Sequence, residues 1–420
     1  MAVFISLAVR EWDEIPFKGS RIVNYKKITL YNYVLVFVHA SIVPFFTQIL
    51  AKLHFSADYL LLSVTTRLHR WPVFISVKTG ISNMEHENLH ITDLRKQSHL
   101  ELAQAAQNAL LDERFYYEPM LAAHPDKTGE WPTQLGDKTL RFPFWISSMT
   151  GGTARARSIN KMLAQTARKF GLGMGLGSCR IILENDTHLA DFDLRPILGD
   201  EVPFYANVGI AQAERLLENK QTNLLKKLVY KLNVDGLIIH VNPLQEWLQA
   251  EGDTIHVAPL FTIQKLLNEI NIPLIVKEVG QGFGPQSMES LLQLPLAAIE
   301  FGAAGGTNFS KLELARNNIM QSYYEAVIHA GHSATEMVGF LNEAVDKLGD
   351  KRKCGTVIIS GGIKNFLDGY YLISKSKLNA CYGQASAFLQ QANISQEALD
   401  EYARHQAEGL LLARTFLKIK

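Results

Sequence analysis

Apolar and polar positions follow two alternating rhythms along most of this chain. From residue 142 onward, apolar runs of strand length are separated by longer stretches in which apolar residues recur every third or fourth position. The runs are Phe142 to Thr150, Leu172 to Gly177, Phe204 to Val208, Gly236 to Val241, Pro273 to Glu278, Ala297 to Phe301, Thr356 to Ser360 and Ala380 to Gly383. Helical patterns intervene, among them Ser158 to Phe170, Val257 to Ile270, Ser287 to Gln293 and Thr335 to Leu348. Near-continuous apolar strands are what a parallel sheet covered on both faces requires. Eight strand and helix units in roughly 280 residues match the count and size of an α/β protein of the (β/α)8 TIM-barrel class. A doubly wound sheet is the alternative, but it explains the polar endings of successive strands less well. Residues Pro125 to Asp137, rich in Pro, Gly and Asp, read as a loop before the first strand.

Residues 1–83 have a different pattern. Thr29 to Leu50 is about long enough for a bilayer at roughly 20 residues, but it carries Asn32, His39, Ser41, Pro44, Thr47 and Gln48. Its flanks are weakly basic on both sides, so they encode no orientation. It is too late for a secretory signal, and no small-residue cleavage site follows. Residues 1–83 are therefore expected to be an upstream extension, non-native or disordered, with the functional domain spanning residues 84–420 from Met84. From Asp93 the pattern turns helical, with Leu100, Ala103, Gln107 and Leu110 at helical spacing.

Totals narrow the classes. The 420 residues can bury a large core, and a net charge of +1 favours neither nucleic acid nor an anionic membrane as partner. Cys179, Cys354 and Cys381 lie far apart without a CxxC pair, which fits a reducing, cytoplasmic setting and argues against structural zinc.

Candidate chemistry gathers at the strand ends. In Val234 to Asp253, period 2 puts His240 and Asn242 on one face, Pro243 ends the strand, and Gln245 and Glu246 follow at once. A buried strand whose His and Asn only satisfy local hydrogen bonds explains that segment equally well when it is taken alone. The other endings shift the balance: SSMTGGT, GLGSCR, YANVG, KEVGQGFG, EFGAAGGTNFSKLE, IISGGIKN and YGQASAF. Each is weak by itself, since a lone GG is more often a tight turn and Lys277 could simply pair with Glu278. Together they offer glycine loops for a phosphate, one lysine and a ring of amides and hydroxyls, a set suited to flavin mononucleotide. No GxGxxG opens a strand-to-helix unit, which disfavours a dinucleotide bound in that mode.

RKQSH, SSMTGG, GLGSCR, ANVG, HVNPLQEWLQAEGD, VKEVGQGFG, GGTNFSKLE, ISGGI and GQASAF, in this order, closely resemble the type 2 isopentenyl-diphosphate delta-isomerases. The resemblance covers about Asp93 to Arg414. It implies an FMN-dependent barrel that interconverts isopentenyl and dimethylallyl diphosphate, with reduced FMN as acid and base, Mg²⁺ on the diphosphate, and NADPH as reductant. Flavin contacts are implied for Ser148, Met149, Thr150, Ser178, Asn207, Lys277, Thr307, Gly361, Gly362, Ala385 and Ser386. Substrate contacts are implied for Arg95, Lys96, His99, Ser178, Cys179, Arg180 and Gln245, with Gln245, His240 and Asn242 as the catalytic set and Glu246 as the Mg²⁺ ligand. A homo-oligomer is also implied, while no nucleic-acid or membrane partner is expected.

Elementary chemistry agrees with those roles. A diphosphate needs cations, and Arg95, Lys96 and Arg180 supply them. Mg²⁺ keeps several waters, so one carboxylate plus phosphate oxygens suffices. Lys277 near the flavin's pyrimidine edge would stabilise negative charge there. The chain departs from the family pattern at Cys179, where Gln or Met is common, at Ala303 and Ala304, where Gly and Tyr are frequent, and at Glu300, where Asp is usual. Two rivals stand beside this reading. A flavin oxidoreductase acting on a 2-hydroxy acid needs a His base beside an Arg clamp, and the last third offers only Arg404 and His405. A membrane-tethered binder of flavin or prenyl diphosphate would not need the glutamine and the metal ligand together.

Overall fold

The computed structural model describes residues 110–148, 153–316 and 318–420, and four short strands between residues 29 and 77. The chain divides into two compact units, Met1–Leu110 and Leu111–Lys420. In the first, Thr29–Leu30, Tyr33–Phe37, Leu60–Val64 and Val73–Val77 form a four-stranded sheet in sequential order. The parts of Thr29 to Leu50 that are described are thus strand, and among the described residues no helix is long and apolar enough to cross a membrane. The boundary expected at Met84 and the helix expected from Asp93 lie outside the described residues.

The second unit is a closed barrel of eight strands: β1 (Phe144–Ile146), β2 (Gly173–Ser178), β3 (Phe204–Gly209), β4 (Gly236–Val241), β5 (Leu274–Glu278), β6 (Ala298–Glu300), β7 (Thr356–Ser360) and β8 (Asn379–Gln384). Every neighbouring pair is parallel, and β8 pairs with β1 to close the ring. All eight expected strands are present, with ends shifted by a few residues. Between β4 and β5 lie α1 (Pro243–Leu248) and α2 (Pro259–Glu269); after β6 comes α3 (Phe309–Leu314). The expected helices at residues 158–170, 287–293 and 335–348 are found as Ala154–Phe170, Pro285–Leu292 and Ala334–Leu348.

Strand parity divides the core in two. Phe144, Ile146, Met174, Leu176, Phe204, Leu237, Ile239, Leu274, Val276, Ile299, Val357 and Ile359 belong to the large cluster that the helices cover. Trp145, Tyr205, Ile238, Ile275, Ala298, Ile358 and Cys381, one residue out of step, point into the barrel and form a second cluster. Leu135 and Leu140 complete that inner cluster. They come from a hairpin, Thr133–Leu135 with Lys138–Leu140, where a loop was expected up to Asp137. Gly136 makes its turn with φ 59°, a backbone conformation that favours glycine. The short alternating stretch TQLGDKTL carried the signal, but its Gly-Asp pair suggested only a loop.

Candidate active site at the carboxyl end of the barrel

Two residues beyond each lumen-facing apolar side chain, the strands carry a second layer of a different kind. Ser147 follows Trp145, Asn207 follows Tyr205, His240 follows Ile238, Lys277 follows Ile275, Glu300 follows Ala298, Ser360 follows Ile358 and Gly383 follows Cys381. His240 is in register with Lys277, and Lys277 with Glu300. The barrel therefore sets a polar ring on top of an apolar floor, toward the strands' carboxyl ends, where barrels of this class keep their chemistry.

His240 is fixed through Nδ1, 2.8 Å from Asn207 Oδ1. The Asn207 amide donates to Leu176 O at 3.0 Å, so its oxygen faces the imidazole and Nδ1 carries the hydrogen. Nε2 is then left as an acceptor. Burial, then the positive charges of Lys277 and Arg180, push this histidine down to about 3, so it is neutral near pH 7.

Asn242 sits where β4 ends, and Pro243 opens α1 at once. Its Nδ2 donates to Gln245 Oε1 at 3.2 Å and to Glu246 Oε1 at 2.9 Å, while its Oδ1 is buried without a partner. Glu246 is held from its other side by the Asp253 backbone N–H, 2.8 Å from Oε2. The Asp253 side chain in turn accepts from Gln212 at 2.6 Å, Arg215 at 3.2 Å and Arg180 at 3.3 Å. A single loop thus ties the proposed metal carboxylate to the proposed diphosphate arginine. Gln245 Nε2 donates to Glu313 Oε1 at 3.3 Å, and Glu313 on α3 is buried and also bound by Arg316. Sequence reasoning did not bring Glu313 to Gln245; the Glu that closes GGTNFSKLE was the available signal.

Lys277 is buried and donates to the Glu278 main-chain oxygen at 2.6 Å. The suggested Lys277–Glu278 side-chain pair does not form. Instead Glu278 Oε2 accepts from the backbone of Gly280, Gln281 and Gly282 at 2.6–2.8 Å and shapes the glycine loop. After β6 and β7 the glycines meet backbone to backbone: a Cβ on Gly306 would lie 3.3 Å from Gly361 Cα, and one on Gly305 3.1 Å from Gly362 Cα. Gly361, at φ 94°, also lies so close to Ala303 that no side chain fits.

Of the expected flavin residues, Ser148, Asn207 and Lys277 stand at the polar layer, Ser178 ends β2, Thr307, Gly361, Gly362 and Ala385 lie in the loops that follow the strands, and Ser386 opens a helix. Met149 and Thr150 lie outside the described residues, as do Arg95, Lys96 and His99. Ser178 and Arg180 are exposed at the rim; Cys179 between them is fully buried, its thiol 3.4 Å from Gly177 O, so it offers the rim only backbone. Three unpartnered groups went unnoticed in the sequence as site residues: the Ser147 hydroxyl and both oxygens of Glu300. The Ser148 hydroxyl is unpartnered too. Buried polar atoms are nearly always bonded, and the gathering of several such orphans in one layer suits a polar ligand there. Among the described residues no group of three or more His, Cys, Asp or Glu could hold a metal ion. Arg404 and His405 engage Glu401 and Glu408 on the exposed face of the terminal helix, away from any substrate clamp.

No protein-family model matches the chain. It is 33% identical over 323 residues, 75% of its length, to a protein of Rickettsia akari named isopentenyl-diphosphate delta-isomerase, and covers 90% of that protein. The protein of the same name from Rickettsia felis is 32% identical over 326 residues, with 90% of its length covered. Among solved structures, a mutant flavocytochrome b2 with benzoylformate aligns over 73% of this chain and 76% of its own at a TM-score of 0.50 and 12% identity, a likeness of fold alone.

Proposed function

The chain belongs to the type 2 isopentenyl-diphosphate delta-isomerase family, and from that premise we propose that it interconverts isopentenyl and dimethylallyl diphosphate with FMN and Mg²⁺. One hydrogen-bonded set carries this proposal: Asn242, Gln245 and Glu246 joined at the end of β4, with Arg180 tied to the same loop through Asp253. Orphaned hydroxyls at Ser147 and Ser148, Lys277 and the paired glycine loops suit a flavin ring and its phosphate. With FMN bound, its reduced ring would supply the proton donor and acceptor that an allylic double-bond shift requires.

The chain's own residues do the rest. Arg180, held at the rim by Asp253, would meet the diphosphate with charge-assisted hydrogen bonds. Glu246 would be the single protein ligand of Mg²⁺, the remaining positions going to phosphate oxygens and water. Neutral His240, held by Asn207, would present Nε2 as an acceptor rather than a second positive charge. Gln245 does not titrate, so it would orient the alkene end, held between Asn242 and Glu313. Burying the alkene among these fixed groups would keep water from a reactive cation-like centre.

The test is direct. The chain, and a form beginning at Met84, would be purified with FMN, reduced anaerobically by NADPH or dithionite, and supplied with isopentenyl diphosphate and Mg²⁺. Dimethylallyl diphosphate formed without net use of reductant is the expected result. A flavin-loaded, reducible protein without that product would refute the substrate assignment, and a chain that retains no flavin would refute the cofactor.

A further inference from the structure

Glu300 takes no part in the assignments above, yet its setting is the most unusual in the barrel. It is fully buried in the lumen, and neither carboxyl oxygen has a well-formed hydrogen bond, the Ser147 and Ser360 hydroxyls being the donors that act on it. A Cβ on Gly383 would lie 2.5 Å from Ser147 Oγ and 3.0 Å from Ser360 Cβ, so only a glycine there lets those two serines pack this closely at the polar layer. Packing does not retain a bare carboxyl in such a place, because burial without partners strongly disfavours the charged form. A retained one has a task that involves its proton.

The groups that face Glu300 can be taken strand by strand. Lys277 on β5 is its register partner and the one cation that acts on it; Ser147, just past β1, and Ser360 on β7 are hydroxyls; Cys381 lies on β8. Burial raises the Glu300 carboxyl above the usual range, and Lys277 followed by the two serines opposes that rise. Burial, and then Glu300 itself, push the Cys381 thiol up, so it stays neutral. His240 on β4, beyond Lys277, is neutral because it is pushed down to about 3. Among these, Glu300 is the group poised to change charge.

We propose that Glu300 holds a proton on behalf of a flavin bound at this polar layer: it is a carboxylate while the flavin is oxidised and a carboxylic acid once the flavin is reduced. The proposal rests on the FMN reading and deepens it. Two electrons from a hydride donor or from dithionite enter the ring with one proton and leave it with one negative charge. A second proton, from solvent, binds the Glu300 carboxylate, and no covalent bond elsewhere is broken. Lys277 then faces one anion in both states, first the carboxylate and afterwards the ring, and the lumen never holds two like charges against one ammonium. Glu300 is here a charge-compensating residue, acting through Lys277.

The dependence of the flavin's midpoint potential on pH tests this in the FMN-loaded chain. Between about pH 6 and about pH 9, uptake of two protons per two electrons lowers the potential by about 59 mV per pH unit, a hundredfold change in equilibrium constant, and uptake of one by about 30 mV. The unaltered protein is expected to follow the steeper line, Glu300→Gln the shallower one, and Glu300→Asp, which keeps the carboxyl, the steeper. Should Glu300→Gln fail to fold, the infrared difference spectrum of the unaltered protein decides, since reduction must produce a new protonated-carboxyl band. A one-proton slope in the unaltered protein, the steeper slope surviving in Glu300→Gln, or no carboxyl band would each overturn the proposal. A chain that holds no flavin overturns the FMN reading and this one together; flavin held with an unchanged Glu300→Gln slope overturns this one alone.

Discussion

The floor and the ring of the barrel lumen are built by the same seven of the eight strands, two residues apart, and they solve opposite problems. In the floor, Trp145, Tyr205, Ile238, Ile275 and Ile358 close on Leu135 and Leu140 of the hairpin, and every one is at most 1% exposed. In the ring, Ser147, Glu300 and Asn242 keep buried polar atoms without partners, and Lys277 and His240 hold their positions through single bonds. One backbone geometry serves both because side chains of a strand repeat every second residue, so each strand can contribute to packing and to chemistry in turn. Apolar packing is concentrated in the floor, where one polar atom, the Trp145 ring nitrogen, is left without a partner, and the unpartnered carboxyl and hydroxyl groups gather in the ring.

The largest test of that division falls on the floor. Leu140→Ala removes a fully buried side chain and is expected to cost about 3 kcal/mol of folding stability, measured by urea unfolding, while turnover of the folded protein stays within about twofold. Turnover that collapses with stability intact would show that floor and ring are not separate. In the ring the expectation reverses. Gln245→Ala leaves stability and flavin content nearly unchanged but lowers turnover about a hundredfold, because the amide linking Asn242 to Glu313 is a positioning group. Equal losses of flavin and turnover would remove Gln245 from the chemistry.

The same division explains what the sequence made legible. The floor and its helices follow from apolar periodicity, which is a strong signal over eight strands, and Gly236–Val241 and Thr356–Ser360 coincide with the expected runs. The β4 end was legible too, since His240, Asn242, Gln245 and Glu246 crowd into a few residues. Glu300 was not read as a site residue because it is a lone polar residue on its strand, and Ser147 because its neighbours in SSMTGG drew the assignment; only the fold brings them beside Lys277 and Ser360. Glu313 was missed because its partner, Gln245, is 68 residues away in sequence. The Lys277–Glu278 pair was plausible from adjacency, but neighbouring residues on a strand point to opposite faces, so their side chains could not meet.

A third test concerns charge in the ring. His240 is pushed down from 6.5 to about 3 in the folded protein, so between those values the unfolded chain binds the proton that the folded chain refuses. Its contribution to stability is therefore complete above pH 6.5 and is lost on acidification toward 3, at up to about 1.4 kcal/mol per pH unit. His240→Asn should make stability less sensitive to acid over that window, as read from urea midpoints at a series of pH values. Identical slopes for the two proteins would mean that the imidazole titrates normally.

The smallest expected effect lies farthest from the floor, at Asp253. Its carboxylate gathers Arg180, Gln212 and Arg215, and its backbone N–H holds Glu246, so the cation side and the carboxylate side of the proposed Mg²⁺-diphosphate site share one anchor. Asp253→Ala frees the three donors and loosens the loop that aims Glu246. Calorimetry with inorganic pyrophosphate, run on the flavin-loaded protein with and without Mg²⁺, separates the two sides. The expected outcome is an affinity about tenfold weaker with Mg²⁺ present, equivalent to about 1.4 kcal/mol, and a much smaller change without it. If affinity falls equally in both conditions, Asp253 serves the arginines alone and Glu246 is aimed by Asn242. If it rises without Mg²⁺, the carboxylate competes with the diphosphate for Arg180, and the rim, unlike the floor, holds its charges in check by pairing them with each other until substrate arrives.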